Sequence, residues 1–429
     1  MKYAILHSAT TAVFVLMLTG IYALEISVNW SYLGFTPLGS TFAILTAAII
    51  CCLYSLVLSG KQDLRNLTHV MMHYVFFVPS MIVSTTDGAS DYYFLLLMLS
   101  YTLILIFSRV PIRLIRTFYM EKKQYFYLVL CAMIVSVLLL AAYGGLQRFN
   151  LNIFAVYDFR RNSALAMPAI FAYFYSGVAK VIAPMTIALA IYFRSFLLAI
   201  VATVLTVLMF GMTHHKSVLF LPLIVAAIYL FLQSRQAAGY LAAGFVFVVF
   251  LSAVELLVIS AGEGEGVATY TSIVIRRIFF VPPLLDTTYI NYFFDAPKIL
   301  WSTSRFGFGL AENPYDLTAP FLIGADVFGQ EGMSANTGVI GSGFSHAGIV
   351  GAIIYSIFLG LIVSSLNSFG NKIGHRLVFA SSISILMSVL TSTDLTTAVL
   401  THGLLLLFVL LMIFPRAELR TQESIEVST

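Results

Sequence analysis

The chain of 429 residues is 60% hydrophobic and only 10% charged, with a mean hydropathy of +0.96. Soluble domains carry about a quarter charged residues, so a water-soluble fold is excluded and a polytopic membrane protein is expected. The net charge of +4 makes no case for nucleic acid, because the basic residues are mostly spent at one membrane face.

A bilayer core of about 30 Å asks for about 20 apolar residues per helix. The first such run, 4–24, follows Lys2 but has no small-x-small cleavage site and leads into further spans, so it is expected to be an uncleaved first helix. Further runs follow at 39–58, 69–86, 92–108 and 125–145. After a polar loop at 146–164 come 165–193, 195–213, 217–233 and 237–259. A long interruption, 260–338, precedes 339–366, 377–392 and 398–414. The expected fold is therefore all-α, a single membrane domain over 1–429 with about 12 transmembrane helices and one large, partly helical loop. Cys51, Cys52 and Cys131 fall inside these runs and support neither a disulfide framework nor a zinc site.

Lys and Arg set the expected orientation. They occupy loops 59–68, 109–124 and 367–376 and the hairpins at Arg194 and Arg235, and they are absent from 25–38, 87–91 and 393–397. Both termini then face the cytoplasm, and the 146–164 and 260–338 loops face outward. The 260–338 segment is crowded with aromatics and prolines, which a flexible tether would lack, so it is expected to pack down as the working part.

Cations on the outward side that abut apolar spans need a partner. Arg160 and Arg161 stand in AVYDFRRNSALAMP beside Tyr157, where Asp158 is a competing structural partner. Arg276 and Arg277 stand in SIVIRRIFFVPP with no acid within eight residues on either side. Guanidinium groups bind phosphate oxygens bidentately and stay charged, so the two doublets suggest an outward anion site. His214, His215 and Lys216 form a turn that fits a phosphate or hydroxyl partner, or simple snorkelling at the headgroups. His69 and His73, at i, i+4 spacing but without a third ligand, are expected to be packed rather than metal-bound. Lys180 lies at membrane depth in FAYFYSGVAKVIAPM, where Gly177, Pro168 and Pro184 suggest a broken or re-entrant helix lining a water-filled cavity. In SANTGVIGSGFSHAGIVG the glycines read as tight helix packing, and Asn336 and His346 as embedded functional polar groups. Nucleotide-phosphate loops, dinucleotide fingerprints, zinc-protease and serine-hydrolase motifs are missing, so no cofactor or metal is expected.

About a dozen spans, VYDFRRN after the fifth, a large outer loop with a second Arg doublet, and SANTGVIGSGFSHAGIVG leading into the next span together resemble the Wzy-type oligosaccharide repeat-unit polymerases of bacterial O-antigen and capsule assembly. The resemblance covers most of the chain from Tyr143 to Phe369. It implies an integral-membrane, GT-C-like glycosyltransferase in the bacterial inner membrane. It would join undecaprenyl-pyrophosphate-linked oligosaccharides, donor and acceptor, among membrane lipids, with a chain-length regulator as a candidate partner. In this frame Arg160, Arg161, Arg276 and Arg277, with Lys216, would meet pyrophosphate; Tyr157, His214, His215, Arg305 and Asn336 would line the substrate. Chemistry of this kind needs charge stabilisation and a base but no metal. The base candidates are Asp326, Glu331 and His346, with Glu312 in the same stretch. The competing readings are an O-antigen ligase, although 260–338 contains no histidine, and a flippase or other transporter of lipid-linked oligosaccharides, although no repeat between halves is evident.

Overall fold

The computed structural model describes residues 2–114, 118–152, 168–234, 236–262 and 268–415. The described chain is helical, with one isolated β-bridge between Leu38 and Thr86. In chain order the helices are α1 (Tyr3–Asn29), α2 (Thr41–Ser55), α3 (Leu64–Val83), α4 (Asp91–Phe107), α5 (Lys122–Arg148), α6 (Ile170–Tyr192), α7 (Phe196–Thr213), α8 (Lys216–Phe231) and α9 (Ala237–Ala261). A π-helical stretch, Thr271–Phe280, runs into α10 (Val281–Asp295). Then come α11 (Ala319–Asp326), α12 (Val339–Ile373), α13 (His375–Thr391), α14 (Leu395–Leu400) and α15 (Leu404–Met412). Seven of these, α1, α3, α5, α6, α7, α9 and α12, are long and apolar enough to cross a bilayer, as a polytopic membrane protein requires.

Local chemistry explains where helices begin. Ser40, Asp63 and Ser90 are extended residues whose side chains accept from the backbone N–H three residues on, capping α2, α3 and α4. Glu255 of α9 does this from a separate helix, accepting from the N–H of Tyr270, the N–H of Thr271 and the Thr271 hydroxyl at 2.7 Å each. A carboxylate at a helix N-terminus is stabilised by the free N–H groups there, and this one fixes the start of the π-helical stretch.

Proline explains where three of the helices widen. It has no N–H and crowds the carbonyl four residues before it, so the preceding turn cannot keep α-helical pairing. Three π-helical segments, His73–Phe77, Val178–Ile182 and Thr271–Phe280, end two residues before Pro79, Pro184 and Pro282 respectively. The expected break around Lys180 is accordingly absent between Ile170 and Tyr192. The π turn absorbs Pro184 and the chain runs on as one helix. A true break falls instead inside α12, at Ala347 and Gly348, where an unbroken span was expected.

The chain divides into two compact units. The first comprises 1–112, 231–367 and 386–398, and the second 113–230, 368–385 and 399–429. In the first, α1 packs on α2 and α9, and α3 is buried along its length. Phe14 meets Tyr74 at 5.0 Å and Phe279 at 5.7 Å, and Phe77 stacks on Tyr101 at 4.1 Å. His69 and His73 lie in this core, bonded to Ser108 at 2.8 Å and Thr11 at 3.2 Å. In the second unit, α5, α6 and α7 pack together. Charge is divided unequally: the second unit holds 14 Lys and Arg against 5 Asp and Glu, a net +9, and the first 9 against 14, a net −5.

Candidate functional site

In the first unit a cleft of about 570 Å³ opens between residues 31–34, α10 and residues 327–333. That volume is in the range of small-ligand sites. α10 contributes Leu284, Thr288, Asn291 and Tyr292, spaced so that they share one helical face. Opposite stand Ser31, Tyr32, Phe328, Gln330 and Met333. Aromatic rings offer flat apolar faces, while amides and hydroxyls both donate and accept hydrogen bonds. That combination suits a ligand with C–H faces and a rim of hydroxyls, such as a pyranose ring.

Two of the residues singled out in the sequence flank this cleft. Asp326, exposed at the end of α11, accepts a 2.6 Å hydrogen bond from the Tyr292 hydroxyl. Burial of the ring, and then the bond to Asp326 and its charge, push the Tyr292 phenol above its usual range. The phenol therefore stays a donor, holding one oxygen of the carboxylate. Arg276 lies on the other side: its guanidinium carbon is 3.9 Å from the Trp30 ring centroid, and Trp30 in turn lies 5.7 Å from Tyr32 of the cleft wall. Arg276 is buried and Arg277 exposed, so the doublet does not close as a paired clamp. Adjacent residues on a helix point in different directions, and only one of the two can face Trp30.

A second constellation surrounds the break in α12. His346, buried at the end of the first segment, donates from Nε2 to Asp394 Oδ2 at 2.9 Å, and its Nδ1 accepts from the Trp301 N–H at 3.2 Å. The Trp301 ring stacks on the imidazole at 5.2 Å and 13°. Its Nε1–H donates to the Tyr355 hydroxyl, which donates to Asp394 Oδ2, each at 2.9 Å. The other Asp394 oxygen accepts from the Thr396 N–H and hydroxyl and the Thr397 N–H. Burial pushes this carboxyl up, but the hydrogen bonds from His346, Thr396 and Thr397 outweigh it and hold it down at about 2. Both imidazole nitrogens are engaged, so in this arrangement His346 has no free lone pair to take a substrate proton. The glycines nearby are close packed: a Cβ on Gly351 would lie 2.0 Å from the Gly343 carbonyl oxygen, and one on Gly338 2.0 Å from that of Leu390.

A third carboxyl, Asp286 of α10, is fully buried and accepts from the Thr337 hydroxyl at 2.6 Å and the Gly341 N–H at 2.9 Å. It ties α10 to the first turn of α12, and burial raises it to about 7 against the pull of those two bonds.

The remaining expected residues are dispersed. Glu331, Arg305, Asn336 and Glu312 are exposed in the first unit, and Asn336 donates to the Ser334 carbonyl at 3.4 Å. In the second unit His214 is buried and left-handed at the end of α7, His215 is exposed, and Lys216 is half-buried at the start of α8. Tyr157, Arg160 and Arg161 lie outside the described residues. Trp30, Tyr355, Asp286 and Asp394 were not anticipated. Asp394 had one signal, an acid set directly between two apolar runs. Comparison of the chain with family models, with curated proteins and with solved structures gives no match.

Proposed function

We propose that this protein is a GT-C-like glycosyltransferase that polymerises undecaprenyl-pyrophosphate-linked oligosaccharide repeat units into O-antigen or capsule polysaccharide. The observation that carries the reading is the cleft of aromatic, amide and hydroxyl groups with Asp326 and Tyr292 at its rim and Arg276 behind Trp30. In this reading an acceptor sugar lies in the cleft and its hydroxyl oxygen attacks the anomeric carbon of the donor. The bond to pyrophosphate breaks with its electron pair going to the phosphate oxygen, and the hydroxyl proton passes to Asp326. Asp326 is preferred over Glu331 because Tyr292 orients it, and over His346 because both imidazole nitrogens are occupied. Cations stabilise the departing charge; the sequence resemblance puts Arg160, Arg161, Arg276 and Arg277 in that role, and Lys216 is a further candidate from its own setting in the His214–Lys216 turn. Counting α2, α4, α8, α13 and the pair α14 and α15 as further crossings gives the twelve spans of this proposal, with both termini cytoplasmic and the cleft facing outward.

A carrier of lipid-linked oligosaccharides is the second reading, favoured by the interruption at 401–403 between α14 and α15. Surface glycan length separates the readings. In cells whose own copy is replaced by Asp326→Asn at matched protein level, a polymerase leaves a single capped repeat unit in place of the gel ladder. Loss of all surface glycan points to a carrier or a ligase, and an unchanged ladder removes Asp326 from the chemistry.

A further inference from the structure

Lys180 is a charged group that the proposed reaction leaves unused. It stands ten residues from Ile170 and twelve from Tyr192 in α6, about 15 and 18 Å from the two ends. A lysine halfway along a spanning helix is costly unless something meets its charge. Its Nζ is 2.8 Å from His402 Nδ1. An ammonium only donates, so Nδ1 is the acceptor and the imidazole proton sits on Nε2. The pair therefore presents donors alone, the remaining Nζ–H groups and Nε2–H, with one positive charge and no carboxylate.

Among the described residues of the second unit the one acid is Glu121, which precedes α5, and the unit as a whole carries +9. The backbone around the pair is irregular on both sides: Lys180 sits in the π turn Val178–Ile182, and His402 in the interruption between α14 and α15. Gly403 follows at φ +90°, and a Cβ there would lie 3.1 Å from Gly177 Cα, so the two backbones are in contact beside the pair. Irregular backbone at membrane depth is tolerated where it lines protein or a polar cavity, and π turns recur at functional sites. Both side chains are only partly buried, so a ligand can reach them.

We propose that Lys180 and His402 form a binding site for a phosphate-class oxyanion, either the phosphate of a polyprenyl lipid or a free phosphate or pyrophosphate. The free lysine N–H donors and their positive charge match an acceptor-rich anion. The site does not rest on the polymerase reading and holds equally for a ligase or a carrier.

The test uses the full chain in detergent, with thermal melting followed against inorganic phosphate, pyrophosphate, polyprenyl phosphate and, as control, polyprenol. The expected result is a saturable rise in melting temperature with a phosphate compound and none with polyprenol. Lys180→Met should weaken the apparent affinity by about tenfold or more, the scale of one lost charged hydrogen bond, and Lys180→Arg should retain most of it. A response to polyprenyl phosphate alone assigns the lipid source, and a response to inorganic pyrophosphate the free anion. An unaltered response in Lys180→Met, or no response in the unsubstituted chain, overturns the site. Should Lys180→Met not fold, ¹⁵N-histidine labelling of the unsubstituted chain decides: the His402 resonance, assigned by its loss in His402→Gln, must move on titration with pyrophosphate or polyprenyl phosphate, and a static resonance overturns the proposal.

Discussion

His346 and Asp394 are joined at 2.9 Å while the other nitrogen of the same imidazole accepts from the Trp301 backbone. The histidine is thereby committed twice, and with Tyr355 and Thr396 it surrounds a carboxylate on which the break in α12 is organised. Removing that carboxylate leaves several donors unmet in a buried setting. Asp394→Ala should cost about 2–4 kcal/mol and lower the melting temperature, with Asp394→Asn costing less. Equal melting of Asp394→Ala and the parent would show that the network carries no stability.

The same geometry predicts the behaviour of His346. Under the proposed polymerase reading, His346→Gln should lower the melting temperature yet retain a glycan ladder when expression is matched, because both ring nitrogens are already hydrogen-bonded. Loss of the ladder in a variant that still folds would return His346 to the reaction.

Asp286 makes stability depend on pH. Its carboxyl titrates near 4 in an unfolded chain and at about 7 when folded. Between those values the folded state keeps a proton that the unfolded state has lost, so stability present below about pH 4 declines as pH rises towards 7. Asp286→Asn should flatten that part of a melting-temperature profile taken between pH 4 and 8. The opposite linkage applies to Asp394, whose contribution is complete above about pH 4 and lost as pH falls towards 2.

Arg276 covers the Trp30 ring at 3.9 Å. The chain has two tryptophans, so Trp301→Phe leaves Trp30 as the sole indole reporter. In that background Arg276→Met should shift the emission spectrum and cost about 1–2 kcal/mol. An unshifted spectrum would mean that the guanidinium does not sit over the ring.

Gly348 has φ +60° and ψ −140°, and a Cβ there would come no closer than 3.5 Å to Lys298 Cε. Space is available, so the cost of Gly348→Ala is one of backbone conformation, about 1–3 kcal/mol. Gly351→Ala fails for the other reason, its Cβ meeting the Gly343 carbonyl oxygen at 2.0 Å, and should be the more damaging in a melting comparison.

Sequence alone determined that the chain is helical and membrane-bound, because hydrophobic runs of bilayer length permit little else when every backbone polar group must pair within its own segment. It also marked the residues that such a setting makes expensive: Arg276, Lys180, His346 and Asp326 were all visible as polar groups beside or between apolar runs. What it could not supply was the partner of each. Trp30 and Arg276, Lys180 and His402, and His346 and Asp394 are separated by 246, 222 and 48 positions. No periodicity reaches across such distances, because the pairings arise from which helices pack together. Tertiary structure decided that one Arg of the doublet turns inward and the other outward, that the histidine is held rather than free, and that α6 continues through Pro184 while α12 breaks at Gly348. The physical reason is the same in each case: a buried polar group costs too much to leave alone, but which neighbour meets it depends on how distant segments are packed.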